Sequence, residues 1–117
     1  MKTISIDFDG VIHSYSSLWR GPSIIPDPPV PGAIEFIKKA SKRFKIVIHS
    51  TRATQESGVN AIKNWLEENG IDHKLLGILV VSHKPKAVVY IDDRAWRFEG
   101  SFPSLEEIDN FKPWNKK

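Results

Sequence analysis

The chain has 117 residues, no cysteine, a composition 40% hydrophobic and 26% charged, and a formal net charge of +3. That length suits one domain whose core closes without disulfides or a structural metal, and the composition excludes disordered and fibrous classes. Without cysteine there are no thiolate metal sites and no cysteine nucleophile, so any metal must take oxygen or imidazole ligands.

At the N-terminus, Met1 to Asp7 reaches an acid before its apolar stretch attains signal-peptide length, and no apolar run approaches a membrane span. A cytoplasmic protein with no membrane partner is expected. The cations are spread along the chain, with a small basic terminus at Lys112, Lys116 and Lys117, a pattern that serves solubility first and tolerates an anionic substrate.

Thr3 to Phe8 reads as a buried strand that ends in Asp7, Asp9 and Gly10, the glycine permitting a sharp bend. From 13 to 31 the chain carries Gly21 and five prolines, Pro22, Pro26, Pro28, Pro29 and Pro31, which rules out a regular helix and predicts a long flap-like loop. Pro31 suits the first turn of a helix whose apolar face is Ala33, Ile34, Ile37, Ala40 and Phe44. Lys45 to His49 is a β-branched strand that hands over to Ser50, Thr51 and Arg52. Ser57 to Asn69 reads as a second helix with Val59, Ile62, Trp65 and Leu66 inward and Asn69-Gly70 as its stop. Two short strands follow, Ile78 to Val81 and Ala87 to Ile91, the second ending in Asp92, Asp93 and Arg94. The extension from 98 to 117 contains one helical turn at Leu105 to Ile108 and a Trp114 that packs back; no chemistry is assigned to it.

Strands alternating with helices predict a single α/β domain over 1–117, with a central parallel sheet and all strand carboxyl ends on one edge. Asp7, Ser50 and Asp92 then converge there although they are far apart in sequence. Crowding Asp7, Asp9, Asp92 and Asp93 into one pocket costs about 4 kcal/mol for each pair about 4 Å apart at an effective dielectric near 20. A divalent cation removes that cost. Hard oxygen ligands favour Mg2+ over zinc, and magnesium commonly shares its shell with a substrate phosphate.

The ordered set Asp7-x-Asp9, Ser50, Lys84 and Asp92-Asp93 resembles the four motifs of the haloacid dehalogenase-like (HAD-like) phosphatases, across roughly Ile4 to Arg94. The resemblance implies a Rossmann-like three-layer α/β/α fold and a magnesium-dependent phosphomonoester hydrolase. It makes Asp7 the nucleophile that forms an aspartyl-phosphate, and Asp9 the general acid and base. Ser50 and Lys84 bind and neutralise the phosphoryl group. By position, Gly10, Thr51 and Arg52 are further candidate phosphate or substrate contacts, with a cap of the following turn as the alternative for Thr51 and an exposed salt bridge for Arg52. Asp7, the Asp9 carbonyl and Asp93 hold the metal. Lys86 is the alternative to Lys84, and Asp92 the alternative to Asp93. His13, His49, His73 and His83 lack metal-ligand spacing and are read as structural or exposed.

There is no room for a cap domain, so an open site is expected, suited to a nucleotide or a nucleic-acid end ahead of sugar phosphates. The Asp92-Asp93-Arg94 ending also resembles the phosphatase domains of polynucleotide kinase-phosphatases. In the flap, Tyr15, Leu18, Trp19 and Arg20 mix aromatic and cationic groups that serve either to stack a base or to anchor the loop. Two other functions remain open at the sequence level: a non-catalytic phosphate- or partner-binding module, and a phosphotransferase using the same residues.

Overall fold

The computed structural model describes residues 1–116; Lys117, the last of the basic terminus, lies outside the described residues. Over the described residues the chain is an α/β fold with a four-stranded, all-parallel sheet and three α-helices. In chain order these are β1 (Thr3–Asp7), α1 (Ala33–Ala40), β2 (Lys45–His49), α2 (Glu56–Glu68), β3 (Leu79–Val81), β4 (Val89–Ile91) and α3 (Leu105–Asp109). A 3-10 turn, Thr51–Thr54, links β2 to α2.

The strand order is β3-β2-β1-β4. The chain therefore steps outward from β1 to β2 to β3 and then returns to the far side of β1. That reversal puts the topological switch between β1 and β4, where parallel sheets open a crevice beyond their carboxyl ends.

The two faces of the sheet differ. Ile4 and Ile6 pair in register with Ile46 and Ile48, and Ile6 with Ile91. These isoleucines join Ile37 and Ala40 of α1 and Ile62, Trp65 and Leu66 of α2 in one apolar core. Both crossovers step the same way, so right-handed connections put both helices on this face. The opposite face carries Ser5, Val47, His49 and Tyr90. The return link, residues 82–88, contains no helix and crosses this second face, where the Tyr90 hydroxyl donates to the Pro85 carbonyl. The resemblance implies helical layers on both faces; the return link is too short to supply a helix to the second.

Element ends follow local chemistry. α1 starts after Gly32 in the left-handed region (φ 88), so Pro31 precedes the helix rather than opening it, and Phe44 falls past its end. α2 stops in a Schellman arrangement: the Gly70 N–H donates to the Glu67 carbonyl (3.0 Å) and the Ile71 N–H to that of Leu66 (2.9 Å). Ile71 and Leu66, both buried, make the apolar contact that accompanies this stop. The 13–31 segment has no helix; it is fastened by isolated bridges that join Asp9 to His13 and His13 to Pro29. Among the described residues no helix is long and apolar enough to cross a membrane.

The tightest backbone approach lies where the 3-10 turn meets α2. A Cβ on Gly58 would fall 1.8 Å from the Arg52 carbonyl oxygen, which is backbone and has little room to yield. Gly58→Ala is expected to destabilise the fold by about 1–3 kcal/mol, read as a lower midpoint in urea at an unchanged slope; an unchanged midpoint would show that the turn can open freely.

Candidate active site

Asp7 is the last residue of β1, and Asp92 and Asp93 directly follow β4, its neighbour across the switch point. Asp7, Asp92 and Asp93 each offer a carboxylate oxygen within 4.8 Å of the others, so the triad could hold a metal ion. The three acids do not share the same surroundings. Asp92 lies 3.2 Å from the Lys84 ammonium and accepts from the Arg94 backbone N–H at 2.8 Å. Burial raises its pKa, but these donors outweigh it and hold Asp92 below the ordinary carboxylate range. Asp93 has a buried Oδ1 with no hydrogen-bond partner among the described residues.

Asp7 carries the largest perturbation. Burial first, then a hydrogen bond with Asp93 and the charges of Asp92 and Asp93, push its pKa up to about 8, against the lowering effect of the Phe8 N–H. Two or three carboxylates in one partly dry pocket cannot all ionise unless positive charge is added.

After Asp7 the chain makes a tight turn in which the Phe8 carbonyl accepts from the N–H groups of Val11, Ile12 and His13. Gly10 (φ 84) is required twice: for the left-handed backbone, and because a Cβ there would lie 2.3 Å from Asp93 Oδ2. Its N–H donates to the His13 carbonyl (2.8 Å), and its carbonyl accepts from the Trp114 indole N–H (2.7 Å). Gly10, expected to contact phosphate, thus has both backbone groups engaged within the chain. What it provides is room for Asp93.

The Asp9 carboxylate is not part of the acidic triad. Oδ2 accepts from Arg52 Nε at 2.8 Å, and Oδ1 lies 2.8 Å from His13 Nδ1. The Asp27 N–H donates to His13 Nε2 (3.1 Å), so a neutral His13 carries its proton on Nδ1 and donates it to Asp9. Arg52 is fully buried and donates through Nη1 to the carbonyls of Gly21, Pro22 and Ile24. Arg52, expected as a second grip on a substrate anion, is not among the residues that line the cavity described below; its Nε and Nη1 donors go to Asp9 and to the flap.

Ser50 directly follows β2, and its N–H donates to the Val81 carbonyl at 2.9 Å. Its Oγ accepts from the Arg52 N–H, which leaves the hydroxyl proton available to another acceptor. Asp7, Asp9, Ser50, Thr51, Lys84, Asp92 and Asp93 all line one cavity of about 440 Å³; Lys86 is not among its lining residues. Tyr15, Trp19, His49 and Arg94 line it as well.

His49 was not singled out as a site residue. It pairs in register with Asp7, lies 2.7 Å from the buried Ser5 hydroxyl through Nδ1, and brings Nε2 to 3.5 Å from Asp92. Burial lowers its pKa despite the neighbouring carboxylate, so it presents a neutral ring beside the acids. Its place as the last residue of the β-branched strand, just before Ser50, is the one sequence signal that points it toward Asp7.

The pKa of Asp7 has a thermodynamic consequence. Its folded value, about 8, lies above the ordinary 3.8, so the stability it contributes is full below about pH 4 and is lost as pH rises toward 8. In chelator, Asp7→Asn is therefore expected to melt higher relative to wild type at pH 8 than at pH 5. Magnesium should shrink this difference by binding the ionised wild-type site. Melting curves of both proteins at the two pH values check this, and a difference independent of pH would contradict it.

Comparison of the chain with protein-family models, with curated proteins and with solved structures returns no match.

Proposed function

We propose that the chain is a divalent-metal-dependent phosphomonoester hydrolase of the HAD-like type, without a cap domain. The observation that carries this reading is the meeting of Asp7, Asp92, Asp93, Ser50 and Lys84 around one cavity at the switch edge of a parallel sheet. The finer fold proposed is a reduced Rossmann-like sheet.

The acidic triad suits a hard cation. The unpartnered Asp93 oxygen and the raised pKa of Asp7 both mark a shortage of positive charge. Magnesium would be held by Asp7, Asp93 and the Asp9 carbonyl, with Asp92 beside them already paired to Lys84. When bound, it supplies Lewis-acid polarisation of a phosphoryl oxygen and lets Asp7 ionise at neutral pH.

In the reaction, an Asp7 carboxylate oxygen bonds to phosphorus as the ester P–O bond breaks, and the leaving oxygen takes a proton from Asp9. Water then attacks the aspartyl-phosphate while Asp9 takes a proton from it, releasing inorganic phosphate and restoring Asp7. A carboxylate has about four acceptor sites, and Arg52 and His13 occupy two of those on Asp9, so it can exchange a proton without leaving them. Ser50 donates to a phosphoryl oxygen, and Lys84 spreads its charge over Asp92 and the transferred group.

A second reading, a phosphate-binding module that does not turn over, is favoured by one observation: both Asp9 oxygens are engaged inside the chain.

Phosphate release from aryl and alkyl phosphates, with magnesium and with chelator, separates the two. Turnover is expected only with the metal, and Asp7→Asn should lower it by about 10³-fold or more. Asp9→Asn should cost about 10²–10⁴-fold on alkyl esters and far less on activated aryl esters, whose leaving groups need little protonation. No release from any ester would leave the binding module; equal losses on both ester types would remove Asp9 as the acid.

A further inference from the structure

The flap presents an aromatic surface to the same cavity as Asp7, and its construction exceeds what anchoring a loop requires. Trp19 packs one ring face on the Arg52 guanidinium, 4.8 Å from carbon to ring centroid. Arg52 is fully buried, so this is the inner face; half of Trp19 remains exposed. The same guanidinium bonds the Asp9 carboxylate and three flap carbonyls. The indole is thereby fixed one guanidinium away from a residue of the proposed chemistry.

The backbone that delivers this ring is strained. Tyr15 (φ 60) and Leu18 (φ 61) both adopt the left-handed region, a conformation that costs a bulky side chain about 1–3 kcal/mol. The turn between them is pinned by Asp27, whose carboxylate accepts from both the N–H and the hydroxyl of Ser17. Asp27 is pinned in turn: its N–H donates to His13, and its carbonyl accepts from the Trp65 indole. The flap is a preformed shelf tied into the core at both Arg52 and His13.

The cavity, at about 440 Å³, is far larger than a phosphate ion needs and falls in the range of sites that enclose small organic ligands. Its lining includes Tyr15, Trp19 and Arg94, two aromatic rings and a cation, together with the acidic triad and Lys84. A flexible sugar phosphate has nothing planar to set against such rings. A nucleobase does.

Resting on the phosphatase reading, we propose that Trp19 is a stacking platform for a nucleobase, so that the substrate is a phosphate monoester one sugar away from a base. The shared chemistry, base, sugar and terminal phosphate, comes either from a free mononucleotide or from the phosphorylated end of an oligonucleotide. Stacking of a base on an aromatic side chain is sequence-tolerant, so the preference is for the presence of a base rather than for its identity. Trp19 acts as a specificity-determining residue; it touches the part of the substrate that does not react.

Binding is tested with phosphonates, whose C–P bond is not hydrolysed: a nucleoside 5′-phosphonate and the matching ribose phosphonate, titrated calorimetrically into wild-type protein with magnesium. The nucleoside compound is expected to bind about 5- to 150-fold more tightly. Trp19→Phe should keep most of this ratio, and Trp19→Leu, which retains apolar bulk without a π face, should bring it close to one. Equal or undetectable affinity of wild type for the two phosphonates overturns the proposal, as does an undiminished ratio in Trp19→Leu. In parallel, phosphate release is compared between adenosine monophosphates, phosphorylated at the 3′ or the 5′ position, and trinucleotides carrying the same terminal phosphates. Faster turnover of the mononucleotides identifies a free nucleotide as the source, and faster turnover of the trinucleotides a nucleic-acid end. A preserved binding ratio with no release from any ester would sink the phosphatase reading and leave the platform standing. Release from every ester with no binding ratio would do the reverse.

Discussion

A guanidinium with no exposure to water has to be neutralised where it sits, and the burial of Arg52 organises much of the surrounding chain. Its charge is met by Asp9 and its remaining donors by carbonyls of the flap, apart from a buried Nη2 without a partner among the described residues. One side chain thus fixes the direction of the second acid, the path of residues 21–24 and the seat of Trp19. The backbone of the same residue abuts Gly58, so the start of α2 is set by it as well. His13 provides a second strut, from Asp9 to Asp27, stacked on Phe8 with ring centroids 5.5 Å apart.

Against this neutralised network stands a cluster that is not neutralised. Asp7, Asp92 and Asp93 have Lys84 as a nearby cation, and Lys84 is about half exposed, so its charge is partly screened. The two groups of acids sit side by side with opposite treatment. Asp9 is supplied with charged and neutral donors by the chain itself, while Asp93 keeps a buried oxygen without one among the described residues. In the proposed reaction that asymmetry would divide the labour of a general acid from that of a nucleophile and metal ligand more clearly than the motif Asp-x-Asp does.

Much of the architecture was legible because strands and helix ends carry local signals. Lys45 to His49 is β-branched with a polar handover, and Asn69-Gly70 supplies the left-handed stop of α2, so both were placed to within a residue. The convergence of Asp7 with Asp92 followed from topology alone. The inward turn of Arg52 had no such signal. An arginine after Ser50-Thr51 reads equally as a solvent-facing cation, and its burial depends on where the carbonyls of residues 21–24 arrive after a proline-rich path. The roles of His13 and Asp27 were hidden for the same reason, since each takes its meaning from a partner across the flap. Gly10 announced a bend, but the closeness of Asp93 that forbids a side chain there exists only once β4 has docked.

The position of β4 carries a consequence for the order of assembly. It is a three-residue edge strand held to β1 alone, and it delivers Asp92 and Asp93 to Asp7 from the other end of the sequence. Closing such a long loop is entropically slow, and it brings like charges together without a cation, so this pairing belongs late in folding. Like β3 at the other edge, it is short and paired on one side only, the kind of element at which local unfolding of a sheet is favoured. The half of the molecule built from β2, β3 and α2 can stay folded through such an opening. The acids then separate and meet again while the core persists, and a cation able to bind all three slows their separation.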